Sequence, residues 1–249
     1  MQDHSSHRSS HLASLFVDAG ITPLLAELPA PVTVTQVGRA HTERGETQAF
    51  IQQVFRRAHG AEVRAFYPDL LSFSIAGERR AVFGYRDGQD LPMFLEQYLD
   101  RPADRLASER LGLTVRREEM VEVGNLALAD PGQARWLIAA CTAFLAAAGY
   151  RWVLFTATRP LANAFARMGL KPLELAEADA NRLPDRGASW GGYYAAGPCV
   201  YVGDIHASRA KLAGVAAQRR PHLHALLQRL HDLGLSGIGG TGARACGGI

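Results

Sequence analysis

The stretch from Met120 to Leu170 limits this chain to few folds. MVEVGNLAL (120–128) is a short strand-like run that breaks at Asp130-Pro131-Gly132. The next segment, ARWLIAACTAFLAAA (134–148), has almost no polar face before Gly149 ends it, so the predicted helix is covered on most sides. Tyr150 to Ala157 is then a continuous apolar run of strand length, which suits a central parallel strand. Strand, helix and strand make a βαβ crossover of right-handed sense, and the chain is read as α/β.

The turn inside this unit suggests chemistry. Gln133, Ala134 and Arg135 open the helix, so their N–H groups lack intrahelical partners and point past the end of the first strand. Such an end attracts anions, a pyrophosphate among them. G-x-G-x-x-G and G-x-x-x-x-G-K-[ST] are both absent, which removes the main support for a Rossmann or P-loop protein. The alternative is a turn in which Pro131 and Gly132 serve only the backbone.

With 249 residues, 47% of them hydrophobic, the chain can bury one sizeable core with flanking additions. A net charge of +3 and a pI of 8.9 permit an acidic carrier protein or anionic lipid as partner. Basic and aromatic residues do not interleave as in a single-strand binder, and no nucleic acid partner is expected. Cys141, Cys199 and Cys246 are far apart and odd in number, which suggests neither a disulfide framework nor zinc. No metal site is expected: His4, His7 and His11 lie in a Ser/His-rich start read as a polar tail, and no H-E-x-x-H occurs. Without a secretory signal or an apolar run of spanning length, the expected location is the cytoplasm.

Along the chain, a short helix is predicted over Leu12 to Leu28 and a strand over Pro31 to Val37. Phe50, Ile51, Val54 and Phe55 recur at helical spacing within Glu46 to His59, and Gly60 is placed to stop that helix. Leu70–Ala76 and Arg80–Tyr85, joined by Gly77-Glu78-Arg79, predict a hairpin. MFLEQYL (93–99) is predicted as the next strand, and residues 102–113 as a short helix or loop. Arg159 to Met168 reads as a helix stopped by Gly169, followed by extended pieces at Leu173–Leu175 and Cys199–Val202. Between these, 185–205 alternates glycine with aromatics and reads as an active-site wall or a solvent-facing turn. After Ala207 a helical apolar stripe of Leu212, Val215, Leu223, Leu226, Leu227, Leu230 and Leu233 carries arginines on its other faces, broken at Pro221. It either packs on its own domain or lies on an anionic membrane. The final GIGGTGARACGGI reads as a flexible end.

The order of these elements resembles a GNAT-type N-acyltransferase, a mixed central sheet flanked by helices. FLEQYL (94–99), EVGNLA (122–127), FTATRPLANAFARMGL (155–170) and GASWGGYY (187–194) resemble the thermostable hemolysin family, placed beside the acyl-homoserine lactone synthases. The resemblance covers 46–205, leaving 1–45 as an extension with a candidate first strand and 206–249 as a basic helical tail. It implies that Val123, Asn125, Leu126 and Ala127 lie along the pantetheine arm of an acyl donor. Gly132, Gln133, Ala134 and Arg135 would hold the phosphates of an acyl-CoA or of an acyl carrier protein. DPGQAR has one glycine where the GNAT pattern has two, which favours the carrier protein, and Phe165 stands where many of these enzymes keep an acidic tyrosine. Arg86, Phe155, Thr156, Asn163, Ser189, Trp190 and Tyr193 are the implied substrate contacts. No permanently bound cofactor is implied.

Acyl transfer to an amine needs a base, and a carboxylate serves if burial raises its pKa. Glu122 and Glu96, in strands expected to be neighbours, are the candidates, Glu122 first. Their alternative is a structural bridge to Arg86, Arg116 or Arg117. Tyr98 is the candidate acid for the leaving thiolate, or only a strand aromatic. Asn125 is a candidate donor to the thioester carbonyl, or merely satisfies a neighbouring backbone group. The expected reaction moves a long fatty acyl chain from a thioester to an amine such as an amino acid. Two rivals remain: a membrane-binding lytic protein acting through the basic helix at 207–233, and a non-catalytic acyl-thioester sensor.

Overall fold

A computed structural model of the chain describes residues 28–90, 92–216 and 221–237. The Ser/His-rich start, the helix predicted from Leu12, Arg219, Arg220 and the Gly-rich end with Cys246 lie outside these residues. Seven strands form one sheet: β1 (Val32–Val37), β2 (Asp69–Ile75), β3 (Glu78–Asp87), β4 (Met120–Leu128), β5 (Trp152–Ala157), β6 (Leu173–Glu177) and β7 (Cys199–Asp204). Their order is β1-β2-β3-β4-β5-β7-β6, and β4–β5 is the parallel pair among antiparallel ones. The helices are α1 (Arg44–His59), α2 (Ala103–Leu111), α3 (Ala134–Ala147), α4 (Arg159–Arg167), α5 (Ile205–Ala216) and α6 (Pro221–Gly237). The mixed α/β architecture is the one expected, and β1 joins the sheet from within the segment read as an extension.

One face of the sheet is closed by α3, whose residues Trp136 to Cys141, Phe144 and Leu145 are buried against Phe73, Phe83, Val121 and Val123. α6 crosses the outside of α3 so closely that a Cβ at Gly234 would sit 2.6 Å from the Phe144 carbonyl oxygen. Leu223, Leu226 and Leu230 of the predicted stripe are buried in this core, so the stripe packs on its own domain. Lying on a membrane through that stripe would require the helix to undock. No helix among the described residues is long and apolar enough to cross a membrane.

On the other face, α1 packs over Val37, Leu70 and Val82, using Ile51 from the predicted helical face. Gly60 ends α1 in the left-handed region at φ 67°, its N–H donating to the Arg56 carbonyl and that of Ala61 to the Phe55 carbonyl. The hairpin forms as predicted but turns at Ala76-Gly77 rather than at 77–79, both residues having positive φ (51° and 80°) as a two-residue turn requires.

MFLEQYL is not a strand. Phe94–Tyr98 is a 3₁₀ turn, and its buried residues Met93, Leu95, Tyr98 and Leu99 do not alternate. Glu96 explains the turn: its carboxylate accepts from Met93 N (3.1 Å) and Ala103 N (2.8 Å) and is ion-paired with Arg117. The neighbours of β4 are therefore β3 and β5, and Glu96 does not face Glu122 across paired strands.

Candidate active site

The parallel pairing of β4 with β5 runs from Met120↔Trp152 to Val123↔Phe155 and stops. Beyond it, β5 stays with β7 and β4 stays with β3. The register of β4 shifts there, and Asn125 adopts a left-handed φ of 48°, the signature of a bulge that bends a strand away from its neighbour. The two strands thus splay, and a cavity of about 620 Å³ opens through the gap. Its walls reach Ile138, Cys141 and Leu145 of α3 on one face of the sheet and Phe55 and His59 of α1 on the other. The β5-facing edge of β4, with its main-chain N–H and C=O groups, forms part of this wall at Val123 to Leu126.

Two glycines shape the floor on the α1 face. Gly84 and Gly124 are register partners in β3 and β4, and the Tyr67 ring fills the slot they leave. A Cβ at Gly124 would come within 2.7 Å of the Tyr67 hydroxyl, which places that hydroxyl at the bulge. Asn125 locks the segment carrying Tyr67: its Oδ1 accepts from Tyr67 N (2.9 Å), and its Nδ2 donates to the Ala65 carbonyl (3.3 Å). The Asn125 side chain is therefore committed to the protein rather than free for a thioester carbonyl.

Glu122 lies beneath Tyr67 and is fully buried. Phe94 N and Leu95 N donate to its two oxygens at 2.8 and 2.7 Å, and the Tyr67 side chain is its neighbour on the cavity side. Burial raises the Glu122 pKa above the ordinary carboxylate range, against the two backbone N–H groups, Tyr67 and the Arg86 charge, which lower it. Burial, followed by the Glu122 charge, also raises the Tyr67 pKa, so this phenol stays protonated. Arg86, the register partner of Glu122, rests 5.6 Å from the Tyr67 ring centroid and donates from Nη1 to the Pro92 carbonyl (2.7 Å).

Aromatic side chains complete this half. Trp190 meets Tyr193 at 5.4 Å and Phe55 and Phe94 at 6.1 Å, and Tyr193 stands edge-on to His59 at 5.2 Å. The Gly-aromatic loop is thus a wall of the cavity. Tyr98 lines the cavity with its hydroxyl 2.6 Å from that of Tyr194, and burial, with that bond, raises its pKa. Burial lowers the His59 pKa, which keeps the imidazole neutral at neutral pH.

The thermostable hemolysin family profile matches residues 37–209. The chain belongs to that family. No curated protein matches it in sequence. Among solved structures it resembles the N-acyl amino acid synthase FeeM from uncultured soil microbes, with a TM-score of 0.53 and 10% identity over 75% of this chain and 97% of that one. The AHL synthase LasI gives a TM-score of 0.51 at 11% identity, over 74% of this chain and 96% of that one. TofI, solved with an inhibitor and MTA, gives 0.50 at 15% identity, over 74% and 96%. The fold of this thermostable hemolysin family member is thus the one these AHL synthases and the N-acyl amino acid synthase share.

The structure gathers most of the predicted site residues of this family member and disperses others. Val123, Asn125, Leu126, Gly132, Ala134, Arg135, Arg86, Tyr98, Phe155, Thr156, Trp190 and Tyr193 line the cavity. Ala127 faces the opposite core beside Val37 and Ile51. Asn163 is on the exposed side of α4, away from the lining residues Leu161, Ala164 and Phe165. Ser189 does not line the cavity, and its hydroxyl bonds to Asp185. Gln133 lies outside it too, accepting from the Trp136 indole at 3.2 Å. Glu96 is spent on Arg117 and the turn, which is the bridge reading. In the turn before α3, the Asp130 carboxylate takes Gly132 N (2.9 Å) and the Asp130 carbonyl takes Gln133 N (3.1 Å). Those two donors are already satisfied, which leaves Arg135 as the charged side chain nearest this turn, with Arg167, Lys171 and Lys211 further cations in the lining.

Tyr67 and His59 are the site residues that sequence reading missed. The signal for Tyr67 was one glycine in each of two strand runs, Gly84 and Gly124, since an interior strand glycine marks a close approach. His59 lay in plain view at the end of a predicted helix, but its position over the cavity depends on the loop that ends at Tyr193.

Proposed function

We propose that this protein is an N-acyltransferase that moves a long fatty acyl chain from a thioester, carried by coenzyme A or an acyl carrier protein, to an amine such as an amino acid. The observation that carries this reading is the splay at Val123/Phe155, a slot through the sheet edged by main chain. A pantetheine arm has amides that pair with such an edge. The arm enters from the α3 side, past Arg135, and the amine from the α1 side, so the two substrates meet at the bulge without sharing an entrance. The apolar surface of Ile138, Leu145, Phe165 and Leu170 supports a long chain over acetyl.

Glu122 is the base in this reading, acting through the Tyr67 hydroxyl because its own carboxylate is sealed from the cavity. The amine nitrogen attacks the thioester carbon, the C–N bond forms and the C–S bond breaks. One proton leaves the ammonium through Tyr67 to Glu122 before attack. A second leaves nitrogen as the amide forms and passes through the Tyr98 hydroxyl, which Tyr194 backs, to the departing sulfur, so that Tyr98 ends protonated and Glu122 later returns its proton to water. N–H groups on the open edge of β4 stabilise the charge on the thioester oxygen. The purified full chain, given a long-chain acyl-CoA or acyl carrier protein and a pool of amines, should release free thiol and form amide. Absence of thiol release with every donor and acceptor would refute the reading.

A further inference from the structure

The acceptor half of the cavity has an uneven charge that bears on which amine it takes. This step rests on the acyltransferase reading. Around Phe55, Tyr67, Phe94, Tyr98, Trp190 and Tyr193, the one permanently charged side chain lining this half among the described residues is Arg86. Glu122, its register partner, is sealed beneath Tyr67 and held by two backbone N–H groups, and it makes no ion pair with Arg86 within 4 Å among the described residues. Arg86 is nevertheless fixed: Nη1 is tied to the Pro92 carbonyl and the guanidinium lies over the Tyr67 ring. Its remaining N–H groups are left with no protein acceptor among the described residues.

We propose that Arg86 clamps a carboxylate of the acceptor, and that the acceptor is an α-amino acid with an uncharged apolar or aromatic side chain. A guanidinium held against an aromatic ring binds a carboxylate in two-point fashion. The proton-accepting hydroxyl of Tyr67 stands on the same ring that Arg86 covers, so anion and amine are held a few ångströms apart, as they are in an α-amino acid. Trp190, Tyr193, Phe55 and Phe94 offer the third group an aromatic wall, with no second permanently charged side chain in this half among the described residues. A free aliphatic amine satisfies none of the Arg86 donors.

The test compares phenylalanine, phenylalaninamide and aspartate as acceptors with one long-chain acyl-CoA, read by thiol release. The amide holds more free amine at neutral pH, so intrinsic reactivity favours it and the comparison is conservative. Phenylalanine should exceed the amide and aspartate by about tenfold or more in kcat/KM. Arg86→Met should bring the acid-to-amide ratio close to one, and Arg86→Lys should leave it between. Robust thiol release with a wild-type ratio at or below one overturns the clamp while the acyltransferase reading stands. If no acceptor yields thiol, that reading fails, and the clamp is judged by equilibrium binding of N-dodecanoyl-phenylalanine against its amide. Tighter binding of the acid that Arg86→Met abolishes then supports it, and equal binding overturns it.

Discussion

The two ends of β4 differ as much as two elements of different proteins. From Met120 to Val123 the strand is paired on both sides, carries fully buried residues and is built for rigidity. From Gly124 onward it keeps one partner, bends at Asn125 and turns its other edge to a cavity. One residue separates the two regimes. The closed end fixes Glu122, and the open end presents the main chain and the Tyr67 hydroxyl within reach of it. A rigid strand running straight into a bulge positions a buried carboxylate next to an open edge without a loop between them.

That contrast can be broken first where chemistry is predicted. Glu122→Gln should lower thiol release by about 10²–10⁴-fold, the usual range for removing a general base. The wild type should gain activity with pH through a limb displaced above the ordinary carboxylate range, because burial raises the Glu122 pKa and the unprotonated form is the active one. Stability carries the opposite sign. The folded Glu122 holds its proton at pH values where the unfolded one releases it, so the unfolding free energy should fall as pH rises through that window. A pH–rate profile and pH-resolved denaturation check both, and a rate independent of pH there would break the base assignment.

Tyr67→Phe sharpens the comparison. It should cost about 10–10²-fold in turnover, while the ring still fills the slot over Gly84 and Gly124 and the thermal midpoint stays close to wild type. At the closed end the effect should reverse in kind. Met120→Ala, at a position with no exposure, should cost about 2–5 kcal/mol in denaturant unfolding, and the remaining folded protein should keep its turnover. Smallest is Glu96→Gln. Losing the ion pair with Arg117 should cost about 1–3 kcal/mol in unfolding, with kcat within a few-fold. A collapse of kcat instead would return Glu96 to the chemistry.

The closed end was the legible one. Its signals, and those of the elements packed on the sheet, are local: the apolar run of α3, the apolar strand β5 beside it, and the helical spacing before Gly60. Glu122 could be named because a carboxylate inside an apolar strand demands an explanation. The open end was legible only through family resemblance, because a splay is a property of pairing that stops. The 3₁₀ turn at Phe94–Tyr98 was misread as a strand because its cause, Arg117 on Glu96, lies 21 residues away. That error placed Glu96 opposite Glu122. Ser189 was drawn into the site by the aromatics around it, although its own hydroxyl closes a turn on Asp185. The C-terminal stripe allowed two destinations, and the approach of Gly234 to α3 selected packing.

The central claim is that the gap between β4 and β5 receives a thioester arm. The most direct measurement is a crystal structure of the protein with a non-hydrolysable long-chain S-alkyl coenzyme A. The account predicts the pantetheine arm between Val123–Leu126 and Phe155–Thr156, with its sulfur beside the Tyr67 hydroxyl. An arm bound elsewhere, or a gap between the strands that stays empty at saturating ligand, would contradict it.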